Sequence, residues 1–276
     1  MNHNDSTLLK MNPILVHNQR AWDERARRGQ RFALPASKTD FADPMKTLDG
    51  PGWLGEVRGK RILCLGAGGG RHGPLLASLG AHVTVVDISP AMLKLDDEVA
   101  AARGLQVETL VASIDDLSAL PDAGFEVILQ PVSTCYVPDI NLAYREAARV
   151  LKPSGIYSSR HKQPTSLQAG LVPTPGGFCL EDSYYVKGPL SPAQQPGPHR
   201  EAGALEFLHR WDDLLGGLCR AGFVLEDVLE PKFGNPSAKP GSFEYRGHYI
   251  APYIQFKARR TDKPVKDVEE LWTPEN

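Results

Sequence analysis

An α/β fold built on a doubly wound sheet is the class this sequence predicts, and three observations carry the prediction. Apolar runs of strand length alternate with amphipathic segments of helix length through the centre of the chain. A glycine-rich loop, residues 66–70, joins the first such run to a helix, where glycine permits positive φ and lets a ligand approach the backbone. Asp87 closes the next strand 21 positions after Gly66, where a βαβ unit offers a carboxylate to the two hydroxyls of a ribose. The stretch 61–95 therefore reads as a nucleoside-binding half-site.

The elements follow in order. Residues 1 to about 12 are polar and terminal and are expected to be poorly ordered. A charged helix is expected over residues 17–28, with Gly29 just past its end. Residues 31–59 are rich in Pro, Gly and single aromatics (Phe32, Phe41, Trp53) and read as an irregular lead-in. Residues 62–65 form the first buried strand, and Leu75, Leu76 and Leu79 give the following helix its apolar face before Gly80 ends it. The second strand runs over 82–86 into Asp87. Ser89 then caps, and Pro90 opens, a helix that Gly104 terminates. Residues 105–112 give a third strand and 125–130 a fourth, whose carboxyl end leads into Pro131, Val132, Ser133 and Tyr136. Ligands of open α/β sheets collect beyond such ends. Asp139 starts a helix that Pro153 and Gly155 stop, and residues 156–161 make strand five.

Residues 162–200 break the alternation with seven prolines and five glycines, and so long an irregular segment in a compact domain points to function or disorder. A helix across 205–222 is expected from Leu208, Trp211, Leu215 and Leu218, followed by strand six from Phe223 and strand seven within 249–260. The tail from Thr261 is charged and reads as peripheral. Overall, 31 basic against 33 acidic residues give a net charge of −2, which argues against a general nucleic-acid or anionic-membrane surface. Cys64, Cys135, Cys179 and Cys219 lack metal-ligand or disulfide-framework spacing, so no metal is indicated and reduced thiols in a cytoplasm fit. No signal peptide pattern or membrane-length apolar run is seen, so a soluble cytoplasmic protein is expected.

Read from Gly66, the loop lacks the last glycine of a dinucleotide fingerprint; read from Gly68, the residues Gly68, Gly70 and Gly73 match it, which keeps an NAD(P)-dependent oxidoreductase open. Taken whole, GAGGG after ILCL, with VVDIS one strand later, resembles the S-adenosylmethionine signature of class I methyltransferases. REAARVLKPSG before IYSSRH is similar to the E-x-x-R-V-L-K-P-G-G stretch of the same family, in its ubiquinone/menaquinone-methyltransferase-like branch. The resemblance implies a Rossmann-like sheet of seven strands, the last antiparallel, with a cap inserted after strand five. It divides the chain into a lead-in (1–57), a cofactor-binding core (58–161), a cap (162–204), the rest of the sheet (205–260) and a tail (261–276). It implies S-adenosyl-L-methionine as cofactor, S-adenosyl-L-homocysteine as product and a small molecule as methyl acceptor, with a homodimer left open.

Residue by residue, the resemblance puts Gly66, Ala67, Gly68 and Gly70 around the methionine part, Asp87 on the ribose, and Ile88 and Met92 beside it. SIDDL resembles the family's D-A-E-D-L, so Ser113 and the Ile114 amide stand at the adenine, while Gln130 and Pro131 border the methyl group. Trp22, in a W-D-x-x-A stretch with Asp23, stands on a helix that covers the cofactor. Cys64 and Ser113 occupy positions where the family often has acids. His161, at the end of strand five, is the candidate base or substrate contact, and Tyr136 the second catalytic candidate. Cys135 has no evident base and reads as packing. A non-catalytic cofactor-sensing protein stays open beside the two enzymes.

Overall fold

The computed structural model describes residues 12–192 and 199–261. The disorder expected for the extreme N-terminus and the peripheral tail lie outside the described residues, apart from Asn12 and Thr261 at their edges.

The strands are β1 (Arg61–Leu65), β2 (His82–Asp87), β3 (Glu108–Val111), β4 (Phe125–Gln130), β5 (Leu151–Lys162), β6 (Phe223–Leu229) and β7 (Tyr253–Arg260). They form one sheet in the order β3-β2-β1-β4-β5-β7-β6. β1 to β5 pair in parallel, and β7 runs antiparallel between β5 and β6, as the resemblance implies. The helices are α1 (Pro13–Arg27), α2 (Lys38–Ala42), α3 (Pro44–Leu48), α4 (His72–Ser78), α5 (Pro90–Arg103), α6 (Ile140–Val150), α7 (Pro164–Gln168), α8 (Gly217–Arg220) and α9 (Phe243–Tyr249). A single 3-10 turn, Thr134–Tyr136, follows β4.

Alternation along the strands feeds two cores. Ile62 and Cys64 pack with Val83, Val85, Val127 and the leucines of α4 on one face; Leu63 and Leu65 pack with Ile128, Tyr144, Tyr157 and Phe256 on the other. The order reverses at β1, which lies between β2 and β4, and their carboxyl ends open a crevice there. The start and stop signals of α5 act as read: Ser89 Oγ accepts from the Met92 amide at 3.1 Å, and Gly104 takes φ +64° at the far end.

Several elements differ from expectation. β3 starts only at Glu108, and the lead-in contains α2 and α3, each opened by an acid or serine cap. Residues 205–210 are not helical; the helix begins at Trp211 with a π-helical turn, Asp212–Gly216, before α8. The cause is long-range: the Leu205 amide donates to Asn18 Oδ1 at 2.7 Å and the Phe207 amide to the Cys135 carbonyl at 2.7 Å, so tertiary partners outbid local helix propensity. Among the described residues no helix is long and apolar enough to cross a membrane.

Candidate active site

A cavity of about 1290 Å³ opens at the crevice and extends across the ends of β4, β5 and β7. Gly66, Ala67 and Gly68 line one end of it, with Asp87, Ile88 and Met92 from the β2–α5 junction and Ser113 and Ile114 after β3. Gln130, Pro131 and Tyr136 line the middle, and Trp22 of α1 covers it. The structure thus brings together all but two of the residues singled out in the sequence.

The local fold explains this wall. Gly66 turns the chain at φ +55°, and a Cβ there would lie 2.5 Å from Ser133 Cβ. At Gly68 a Cβ would lie 2.8 Å from Met92 Cβ and 3.1 Å from Asp87 Oδ2, so the bare backbone is what the cavity meets. Asp87 braces the turn: Oδ2 accepts from the Gly68 amide and Oδ1 from the Ser89 amide, both at 3.0 Å. Burial pushes its pKa up to about 6, against the pull of those two amides. Asp23 of α1 accepts from Ser89 Oγ at 2.6 Å and from the Ala91 amide at 3.2 Å, which docks the covering helix on the start of α5. Gln130 is fixed from both ends, its Oε1 accepting from Tyr157 Oη at 2.6 Å and its Nε2 donating to Ser133 Oγ at 2.9 Å. Ser113 donates its hydroxyl to Asp115 and keeps lone pairs for a donor.

Two expectations are corrected by placement. Gly70 does not line the cavity; at φ +72° it backs onto α5, where a Cβ would sit 2.7 Å from the Leu95 carbonyl, and Gly69 takes its place in the wall. His161 is wholly buried on the opposite face of β5, wedged between Tyr144 and Phe256. Its Nδ1 is 2.9 Å from Thr134 Oγ1 and its Nε2 2.8 Å from Ser159 Oγ, and burial drives its pKa down to about 3. A ring so occupied has no free nitrogen for a substrate in the cavity. Cys64 and Cys135 are buried and off the cavity, with thiol pKa values raised by burial.

Sequence reasoning missed part of the wall. Glu201, from the chain after β5, lines the cavity and accepts from Tyr136 Oη at 2.6 Å. Phe233 meets Phe243 and Tyr253 edge to face at its far side, with Arg31 over the Phe243 ring at 5.9 Å. Arg160 faces in from β5. No local motif marks these positions, although the alternation along β5 from Tyr157 separates Arg160 from His161.

The fit to a nucleoside cofactor rests on the glycine cradle, which any Cβ would fill, and on the buried acid at its lip. Comparison with known proteins agrees. A family described as "Methyltransferase domain" matches residues 63–158. An uncharacterized methyltransferase of Bacillus subtilis, YbaJ, is 33% identical over 242 residues, covering 81% of this chain and 93% of its own. A ubiquinone biosynthesis O-methyltransferase of Xanthomonas euvesicatoria is 29% identical over 152 residues, 54% of this chain and 64% of that protein. The solved S-adenosylmethionine-dependent methyltransferase of Mesorhizobium loti is 26% identical, with a TM-score of 0.61 over 78% of this chain and 96% of its own. These likenesses set aside the oxidoreductase, which rested on the Gly68 frame alone, and the non-catalytic reading. The chain belongs to the class I S-adenosylmethionine-dependent methyltransferases, and it is an enzyme of that family.

Proposed function

We propose that this enzyme methylates a small molecule held in the cavity beside the cofactor, in a cytoplasmic setting that suits its four unpaired cysteines. The size of the cavity carries the reading. At about 1290 Å³ it exceeds the roughly 300–1,000 Å³ of a site for one drug-sized ligand, so a nucleoside cofactor leaves room for a second molecule.

Bound S-adenosylmethionine supplies a methyl group activated by its sulfonium. In the proposed arrangement Gly66, Ala67 and Gly68 hold the amino-acid side, Asp87 accepts from the ribose hydroxyls, and Ile88, Met92, Ser113 and the Ile114 amide hold the base. Gln130, Pro131 and Trp22 border the transfer point. Tyr136 and Glu201 face the acceptor. The Tyr136 phenol stays protonated, because burial and then the Glu201 charge raise its pKa, so it orients rather than abstracts a proton. Positioning is enough in principle, since good orientation alone is worth on the order of 7–11 kcal/mol of barrier. Residues 162–204 act as the cap: Leu167, Leu190 and Ala204 pack with Cys135, Tyr136 and Trp22 over this end of the sheet.

The test is incubation of the enzyme with methyl-labelled S-adenosylmethionine and a fractionated cell extract. Label is expected in the low-molecular-mass fraction and is expected to fall with Asp87→Ala at cofactor concentrations below saturation. Label in protein or nucleic acid would sink the small-molecule reading.

A further inference from the structure

We propose that Arg160 is a carboxylate receptor built into the cavity wall, an inference that rests on this cavity being where methyl transfer takes place. The alternation of β5 sends Tyr157 and His161 toward one core, whereas Ser158 and Arg160 line the cavity, with Ser159 reaching its edge. Arg160 stands opposite Gln255 of β7 in the antiparallel register, and the Gln255 amide, oriented with its oxygen toward the guanidinium, accepts from Nε at 2.8 Å and also from Nη2, which leaves the Nη1–Nη2 edge without a partner among the described residues. A neutral amide oxygen satisfies part of a five-donor group and none of its charge.

No carboxylate among the described residues supplies the rest. Six line the cavity, and each is committed elsewhere. Asp40 holds Arg71 at 2.8 Å, Asp43 caps α3, and Asp49 accepts from the Trp53 and Leu54 amides. Asp87 holds Gly68 and Ser89, Glu201 holds Lys162 and Tyr136, and Glu230 holds Gln163. His72, which also lines the cavity, offers no negative charge, and burial keeps its ring neutral by lowering its pKa to about 4. Arg160 is solvent-exposed where it faces the cavity, and although partial desolvation lowers its pKa the guanidinium keeps its charge. A planar guanidinium with free donors matches a carboxylate through two parallel hydrogen bonds.

Two ligands could bring that group: the amino-acid end of the cofactor or an acid group on the acceptor. Calorimetry on wild type and Arg160→Gln separates them. The first arm compares S-adenosylhomocysteine with 5′-methylthioadenosine, which keeps the nucleoside and thioether but has no carboxylate. The second screens benzoate, 4-hydroxybenzoate, 3,4-dihydroxybenzoate and indole-3-carboxylate, each against its carboxamide, on protein saturated with S-adenosylhomocysteine. Arg160→Gln is expected to weaken the carboxylate ligand of one arm by about 10- to 100-fold and leave its uncharged counterpart unchanged. Arg160→Lys, which keeps the charge and loses the fork, is expected to show a smaller loss in the same arm, and it serves as the test should the glutamine variant not fold. Unchanged affinity in both arms overturns the proposal, and so do equal losses with and without a carboxylate, which would make Arg160 a packing residue. Wild-type protein that binds neither acids nor amides would tell against the small-molecule acceptor, while the first arm would still decide the role of Arg160.

Discussion

Asp87 braces the loop and lines the cavity with one carboxylate. It holds the Gly68 and Ser89 amides while facing the cavity, so its removal unpins the turn at the cavity wall. Asp87→Ala is expected to weaken S-adenosylhomocysteine binding by about 1–3 kcal/mol by calorimetry; unaltered affinity would dismiss it as the ribose ligand. Asp96, buried beneath the same loop, takes the Gly69 amide at 2.8 Å on Oδ2, and its Oδ1 has no hydrogen-bond partner among the described residues. Burial, with the neighbouring Asp87 charge, raises its pKa to about 7. An acid whose folded pKa is raised binds more protons folded than unfolded, so its contribution to stability is full below about pH 4 and is lost as pH rises through about 7. The half-buried His72 and the buried His161, His199 and His209, with pKa values lowered by desolvation, act in the opposite direction, so the total profile is not diagnostic. The difference between variants is. Asp96→Asn is expected to gain on wild type steadily between pH 4 and 7 in urea unfolding, and a constant gap would refute the raised pKa.

At the scale of elements, the β1–α4 turn tolerates no side chain. A Cβ at Gly66 would collide with Ser133 Cβ and sit at a φ that only glycine adopts comfortably; at Gly68 it would meet Met92 on the rigid start of α5. Gly66→Ala is expected to lower stability by about 1–3 kcal/mol and to weaken S-adenosylhomocysteine binding, measured by thermal melts with and without the ligand. This turn was legible in the sequence because its information is local: an apolar run, glycines, and an acid at βαβ spacing. Gln130, Ser113 and Trp22 were legible on the same footing, each through a short motif fixed to one strand end or helix. His161 was not. Strand five was read as ending at that residue, yet pairing continues to Lys162↔Tyr253, so His161 still belongs to the sheet and its side chain to the core. Residues 205–210 failed for a related reason, their partners lying in α1 and the turn after β4. The helix α9 went unseen between β6 and β7. Its Arg246 is buried and donates to the Ser166, Ala169 and Gly170 carbonyls, joining that loop to the end of α7.

Across the whole molecule, the chain after β5 is fixed to the sheet by a buried group of charges that no sequence pattern announces. Lys162 at the end of β5 meets Glu201 and Glu206, which lie 39 and 44 positions away, and Arg200 pairs with Glu206. Two positive and two negative groups balance, so the cluster is neutral as a unit while each member depends on the others. A buried pair adds little over apolar packing, but breaking one strands a charge at a cost of about 3–5 kcal/mol. Lys162→Met is therefore expected to lose about that much in urea unfolding, since Glu201 would keep its charge with the Tyr136 hydroxyl and the weaker pull of Arg25 against it. Adding Glu201→Gln to the same chain removes the stranded charge, keeps an oxygen for Tyr136, and leaves Glu206 with Arg200. The double variant is expected to recover at least half of the loss; no recovery would mean that Lys162 matters for its packing rather than its charge. Because the cluster touches the Tyr136 end of the cavity and not the glycine loop, S-adenosylhomocysteine affinity is expected to change less than threefold in the double variant, while turnover falls with the order of the segment that carries Glu201.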